Sequence, residues 1–508
     1  MGNHPPGLRV LFLTELWERF SYYGMRAILI FYLTRQLRFE DTDAYLLYGS
    51  YVSLIYALPV LGGLLADRLL GARPAVTAGA VLLVLGHFTL AFEAQPPAVG
   101  ADGALVRDAF GAQVLYLALA LLCVGTGLLK ANVSTLVGSL YPRADPRRES
   151  AFTIFYFGIN LGALAASLLV GWLGERAGWS WGFGAAGVGM LLGLGFYLGG
   201  RRHLAHVGAP PVPGRLTARG PLGLRTDGLV GAGILATVLA VWQLIQLPAL
   251  VGTVLGSVAT LAVGSVVAVA LLRLVPVDRD RMLLLLFLSG CSVLFWALFE
   301  QAGSSLNLFT DRNVDRAVLG REIPAAQFQA LNAGFILLLA PVFALLWPFL
   351  ACRGLEPSAP AKFAVAIVLA GAGFWALVVG AVGAVDGRVA LGWLVLAYFL
   401  HTTGELCLSP VGLATVTRLS VPGLVGLMMG IWYLSIAGAG WIGGLVASAM
   451  DTGETDAEGS LTAFTALFRD LGTAACVAGA VLLLAAPLLR RAMHPEQETP
   501  AEGIPAAR

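Results

Sequence analysis

Glu15-Leu-Trp-Glu-Arg-Phe-Ser-Tyr-Tyr-Gly24, followed closely by Arg26, lies inside an otherwise apolar window at residues 10–34. A membrane-crossing helix needs about 20 mostly apolar residues, so this window is long enough to span. Each of Glu15, Glu18, Arg19 and Arg26 would then cost about 2.5–3.5 kcal/mol at a helix centre. Glu15, Arg19, Tyr22 and Arg26 follow i, i+4, i+7 and i+11 spacing and share one helical face, which Glu18 and Tyr23 widen. Such a face cannot meet lipid. It must line a cavity or a polar neighbour, and Glu15 and Arg19 are spaced to pair within the helix.

The rest of the chain supports the membrane reading. Of its 508 residues, 58% are hydrophobic and only 12% charged, about half the charged share of soluble domains. A net charge of +2 gives no case for nucleic acid. The five cysteines form no CxxC pair, which argues against a disulfide framework or a zinc site. His87 and His401 read as packing residues. Spanning windows fall near 10–34, 45–66, 74–93, 112–139, 151–173, 181–200, 228–247, 249–274, 281–309, 326–350, 362–384, 389–417, 424–449 and 471–490. They predict an all-α membrane protein with fourteen transmembrane helices.

Positive charge sorts onto one set of alternate connections. That set holds Arg68 and Arg73, then Arg143, Arg147 and Arg148, then Arg201 to Arg225, and it ends with Arg490 and Arg491. The opposite set is sparser or balanced by acids, as at 35–43 and 451–456. Both termini are therefore expected in the cytoplasm of a cell membrane. Residues 201–228 are rich in Pro, Gly and Arg, and Asp278-Arg-Asp-Arg281 reads as a charged break. The expected organisation is a six-helix bundle at 1–200, a linker and inserted hairpin at 201–280, a second six-helix bundle at 281–495, and a polar tail at 496–508. Paired bundles of six are a common plan of secondary transporters.

Charge recurs at depth elsewhere. Lys130 and Asn132 share the fourth window. Glu300, Ser304, Asn307 and Asp311 repeat the i, i+4, i+7, i+11 stripe, and Glu405 precedes an expected break at Ser409-Pro410. Asn160 and Asn332 add neutral donors and acceptors. The deep set comprises the carboxylates Glu15, Glu18, Glu300 and Glu405 and the cations Arg19, Arg26 and Lys130. Fully ionised, it has one excess negative charge, so a proton-coupled cycle is expected.

The opening stretch resembles the ExxERFxYYG signature of proton-coupled oligopeptide transporters, in the major facilitator superfamily. Further segments resemble the same family in the same order: Gly62-Gly-Leu-Leu-Ala-Asp-Arg-Leu-Leu-Gly71, Phe155-Tyr-Phe-Gly-Ile-Asn-Leu-Gly162, Phe295-Trp296 with Glu300-Gln301, Gly404 to Leu413, and Met428 to Ser435. The inserted pair is similar to that of bacterial members. The resemblance implies a major facilitator fold and proton-coupled import of di- and tripeptides by alternating access. Glu15, Glu18, Arg19 and Glu300 would couple protons. Arg26 and Lys130 would receive the peptide carboxylate, and Asn160, Asn332 and Glu405 its amino group. Tyr22, Tyr23, Tyr56, Trp296, Trp432 and Ser435 would line the pocket. Arg26–Glu300 and Lys130–Glu405 would be gating ion pairs, and Asp67 and Arg68 conformational residues. Ala163 stands where the family often has Ser, and no Asn follows Ser435.

No cofactor is expected beyond the coupling proton, and the transport unit is expected to be a monomer. Nitrate, a peptide-like drug or another zwitterion is the alternative cargo. A membrane enzyme is disfavoured, since the chain has no HExxH and no Cys/His pairing that suggests a nucleophile.

Overall fold

The charged stripe lies on α1 (Pro6–Phe31), whose proline sits at a helix start, where its missing N–H costs nothing. This is a computed structural model describing residues 4–100, 105–142, 145–219, 225–449 and 456–494. Arg143, residues 451–455 of the acidic connection and the tail at 496–508 lie outside the described residues. The first bundle continues with α2 (Asp41–Leu65), α3 (Ala72–Leu90), α4 (Ala109–Ser139), α5 (Arg147–Trp172) and α6 (Trp179–Gly200). The inserted pair is α7 (Thr226–Leu244) and α8 (Pro248–Arg273). The second bundle comprises α9 (Pro276–Phe299), α10 (Ser305–Asn313), α11 (Ala330–Cys352), α12 (Ala359–Val382), α13 (Leu391–Leu419), α14 (Val425–Ser448) and α15 (Ala457–Arg491).

Among the described residues, thirteen helical segments are long and apolar enough to cross a membrane. The charges of α1 keep it out of that set; with it there are fourteen spans. Among the described residues, three two-residue strand pairs decorate the connections.

Three local expectations are corrected. The window at 281–309 is not one helix. It is α9 and α10, joined by a 3-10 turn at Glu300–Gly303 and by Ser304 in a non-helical conformation. Ser409-Pro410 does not break α13, which runs through Pro410. Such a proline removes one i→i−4 hydrogen bond, and here the helix absorbs the loss. Asp278-Arg281 lies in the first turns of α9, not in a connection.

In the first bundle α1 packs on α5 and α6, and α4 on α2 and α3. In the second, α12 packs on α13 and α15, and α14 on α9. The bundles meet mainly where α2 crosses α14 and α5 crosses α11. Glycine sets the first crossing: a Cβ on Gly49 would stand 2.9 Å from the Gly440 carbonyl oxygen.

Ion pairs seal the end that holds the α1–α2 connection. Arg312 makes a two-point bond to Asp41, at 2.5 and 2.8 Å. Arg35 pairs with Asp311 and, at 3.3 Å, with Glu175. Gln327 Nε2 donates to the Leu168 carbonyl at 2.7 Å. At the opposite end, near both termini, α4 and α13 make no comparably extensive contact. The inserted pair straddles the bundles: α7 packs on α4, while α8 packs on α14 and α9. Trp441 Nε1 donates to the Pro248 carbonyl at 3.1 Å.

Candidate functional site

One cavity of about 110 Å³ lies between the bundles. The first bundle lines it with Tyr23, Arg26, Tyr56 and Asn160, and the second with Trp296, Glu300, Asn332 and Glu405. Eight of the expected site residues therefore converge on one chamber.

Arg26 crosses the chamber. Its Nη2 lies 2.7 Å from Glu300 Oε2, so this expected pair is formed between the bundles. Its Nε donates to Tyr48 Oη at 2.7 Å. Both charged side chains are buried. The 3-10 turn of the second bundle carries Glu300, and just beyond it Asn307 Nδ2 donates to the Ala27 carbonyl at 3.1 Å. The broken span thus follows α1 over Arg26 and Ala27 and the turn after it at Arg35, contacted by Glu300, Asn307 and Asp311.

Across the chamber, Asn332 Nδ2 donates to Glu405 Oε2 at 2.9 Å and lies 3.1 Å from Thr402 Oγ1. Asn160 spends a donor on its own helix, at the Tyr156 carbonyl 3.0 Å away. Trp296 Nε1 and Gln329 Nε2 also line the chamber. Both are buried donors without a hydrogen-bond partner among the described residues. Buried donors left this way cost free energy until a partner arrives.

Glu15, Glu18 and Arg19 form a second cluster about two to three turns before Arg26. Arg19 Nε lies 3.1 Å from Glu15 Oε1, as the spacing predicts. Its Nη2 donates to Glu18 Oε1 at 2.8 Å. All three are buried, and Glu15 Oε2 has no hydrogen-bond partner among the described residues. Lys130 does not pair with Glu405 in this conformation. Its Nζ instead lies over the Tyr56 ring, 4.1 Å from the centroid. The reason is the separation of α4 from α13 noted above.

Three expected pocket residues are not on the chamber wall. Tyr22 is buried beside Tyr23, 5.0 Å between ring centroids. Trp432 packs on Phe363, and Ser435 Oγ lies 3.3 Å from Ser292 Oγ. Conversely, Tyr156, Gln329 and Tyr398 line the chamber but were not expected there. Signals existed: Tyr156 is four residues before Asn160, and Tyr398 seven before Glu405, each on the same helical face. Among the described residues, no group of three or more His, Cys, Asp or Glu is placed to hold a metal ion.

The family model "PTR2: POT family" matches residues 73–464. "Peptide transporter YePEPT" of Yersinia enterocolitica is 34% identical over 97% of this chain and 96% of its own length. "Dipeptide and tripeptide permease A" of Citrobacter koseri is 34% identical, with 98% and 95% covered. A peptide transporter POT, crystallised as a point mutant with alafosfalin, superposes with a TM-score of 0.82 at 35% identity, covering 96% of each chain. This chain is therefore a member of the POT family, a multi-pass membrane transporter built on two six-helix bundles with an inserted helix pair.

Proposed function

We propose that this protein is a proton-coupled symporter that imports di- and tripeptides by alternating access. The observation that carries the reading is the chamber between the bundles, which sets Arg26 and Glu300 as an interbundle pair opposite the Asn332–Glu405 pair. A zwitterionic peptide brings a carboxylate and an ammonium. Arg26, assisted by Lys130, receives the first; Glu405, with Asn332 and Asn160, receives the second. Tyr23, Tyr56 and Trp296 face the side chains. Trp296 Nε1 and Gln329 Nε2 are donors available to peptide carbonyls. Contacts to termini and main chain leave side chains largely unread, which favours broad specificity.

Protons bind at the Glu15–Glu18–Arg19 cluster and at Glu300. A proton on Glu300 frees Arg26, and peptide on Arg26 frees Glu300, so either event changes how the bundles hold together. This is the differential contact a switch requires. Both termini are cytoplasmic, so the sealed end faces outward and the conformation is inward-facing. The bundles comprise 1–200 and, from the start of α9, 276–495, with the linker and hairpin at 201–275 and the tail at 496–508. One chain supplies the whole chamber, which supports a single chain as the transport unit.

The energetics suffice. One charge moved across 100 mV supplies about 2.3 kcal/mol, and a tenfold proton gradient adds about 1.4 kcal/mol. Proteoliposomes with an acidic exterior should accumulate labelled dialanine, with competition by di- and tripeptides but not by free alanine or nitrate. Glu15→Gln and Glu18→Gln should abolish driven accumulation while dialanine exchange persists. Driven uptake unchanged in both variants would remove the coupling role, and competition by nitrate would remove the peptide assignment.

A further inference from the structure

A groove of about 510 Å³ separates α7 from α2 and α4. Its walls are apolar: Leu58, Leu61, Leu65 and Leu69 on one side, Leu128 on α4, and Ile234 on α7. The leucines at 58, 61, 65 and 69 recur at i, i+3, i+7 and i+11, a single stripe of α2 and the turn that ends it. The α7 wall runs from Thr226 to Thr237. At 1.5 Å per residue that is about 16 Å, close to the hydrocarbon depth of one leaflet, about half of a 30 Å core.

The space has a cause. Along its length α7 buries only Val238 and Val241, both beyond Thr237, and on the nearer turns half-buried Val230 packs on the cluster of Ala66, Leu70 and Ala75. On the nearer turns a Cβ added to Gly233 would meet nothing within 4 Å. Leu61 is 60% exposed although it belongs to the wall, so the groove is open. A leucine-lined groove open in a membrane span cannot stay wet, and it cannot stay empty without losing the dispersion contacts of its lining.

The mouth is basic. Thr226 N and Oγ1 both donate to the Ala218 carbonyl at 3.0 Å, and Asp227 N donates to the Leu216 carbonyl at 2.8 Å. These bonds hold the linker against the start of α7. Arg215, Arg219 and Arg225 are exposed there, and exposed Arg68 adjoins the wall residue Leu69. Asp67 and Asp227 are the nearby acids, the latter bonded to Arg225 at 2.6 Å. The excess is positive at the membrane end of an apolar groove, which is complementary to an anionic lipid.

We propose that this groove holds an acyl chain of an anionic phospholipid, with its headgroup at the arginine cluster. The test is native mass spectrometry of the full chain in mild detergent, with dioleoylphosphatidylglycerol or dioleoylphosphatidylcholine added. The parent chain should retain the anionic lipid in preference, by roughly fivefold for each arginine that acts. Gly233→Leu, which fills the groove, should lose both lipids while its melting curve stays unchanged. Should Gly233→Leu melt early, Leu61→Trp fills the groove from the other wall and is read the same way. Arg215→Gln with Arg219→Gln should keep the phosphatidylcholine signal and lose the preference. Undiminished lipid retention in the filled variants, or equal retention of the two lipids by the parent chain, would overturn the proposal.

Discussion

At the scale of single residues, the second bundle's contribution turns on one bond, that from Asn332 to Glu405 at 2.9 Å. A hydrogen bond to a charged group is worth about 1.5–3 kcal/mol. Asn332→Ala should therefore weaken dialanine binding by at least roughly tenfold, through a poorly held Glu405, and Glu405→Gln should do so by removing the ammonium's partner. N-acetylated dialanine lacks that ammonium, so its weaker binding should change little in either variant. Competition assays on vesicles measure both; an equal loss for both ligands would point to a collapsed chamber instead. The pairs of this site were legible in sequence to unequal degrees. Arg26 and Glu300 announced themselves because a charge in an apolar window has few reasons to be there. Tyr48, Tyr156 and Tyr398 did not, because a tyrosine in a span serves equally well in packing. Tyr22, Trp432 and Ser435 show the converse: motif membership put them on the wall, but helix rotation turns them into neighbouring helices.

At the scale of elements, length and hydropathy were enough to place every span, yet not the interruptions. The break after Phe299 carries no proline, whereas α13 keeps Pro410 within a continuous helix. Local propensity points the wrong way in both cases. Tertiary bonds decide: Glu300 is held by Arg26, and Asn307 by the Ala27 carbonyl. Which helices of opposite bundles touch was also hidden, since glycine marks a close approach without naming the partner. At the crossing of α2 and α14, Gly49 faces Gly440 and Gly444, and a Cβ on Gly49 would stand 3.0 Å from the Gly444 Cα. Overpacking of this kind costs about 1–3 kcal/mol. Because the contact belongs to the sealed end, Gly49→Val should act on the conformational equilibrium rather than on folding. A cysteine placed at Gln301, buried beside this crossing, should become more reactive to a membrane-impermeant maleimide added from outside. Unaltered labelling would mean that the crossing tolerates the methyls without opening.

For the whole molecule, the two proposed gating pairs differ in state, as the proposed cycle expects when one side is open and the other shut. Arg26–Glu300 is made at 2.7 Å, together with the Asp41–Arg312 and Arg35–Asp311 bonds of the sealed end. Lys130, on α4, rests on Tyr56, while Glu405, on α13, is held by Asn332. If the bundles rock about the chamber, closing the open end must bring α4 and α13 together, and opening the sealed end must break the first set. The two sets cannot be satisfied at once, so the free-energy gap between the states is a difference between similar sums and is readily biased by a proton or a peptide. Spin labels at Thr135 on α4 and Thr417 on α13, both exposed and bonded only within their own helices, should report this motion. Their distance distribution should be long for the free protein and gain a shorter component on addition of dialanine at acidic pH. Glu300→Gln, which weakens the hold on Arg26, should populate that component without peptide. A distribution that stays fixed under all these conditions would show that α4 and α13 are not the moving gate, and Lys130 and Glu405 would then have to act on substrate alone.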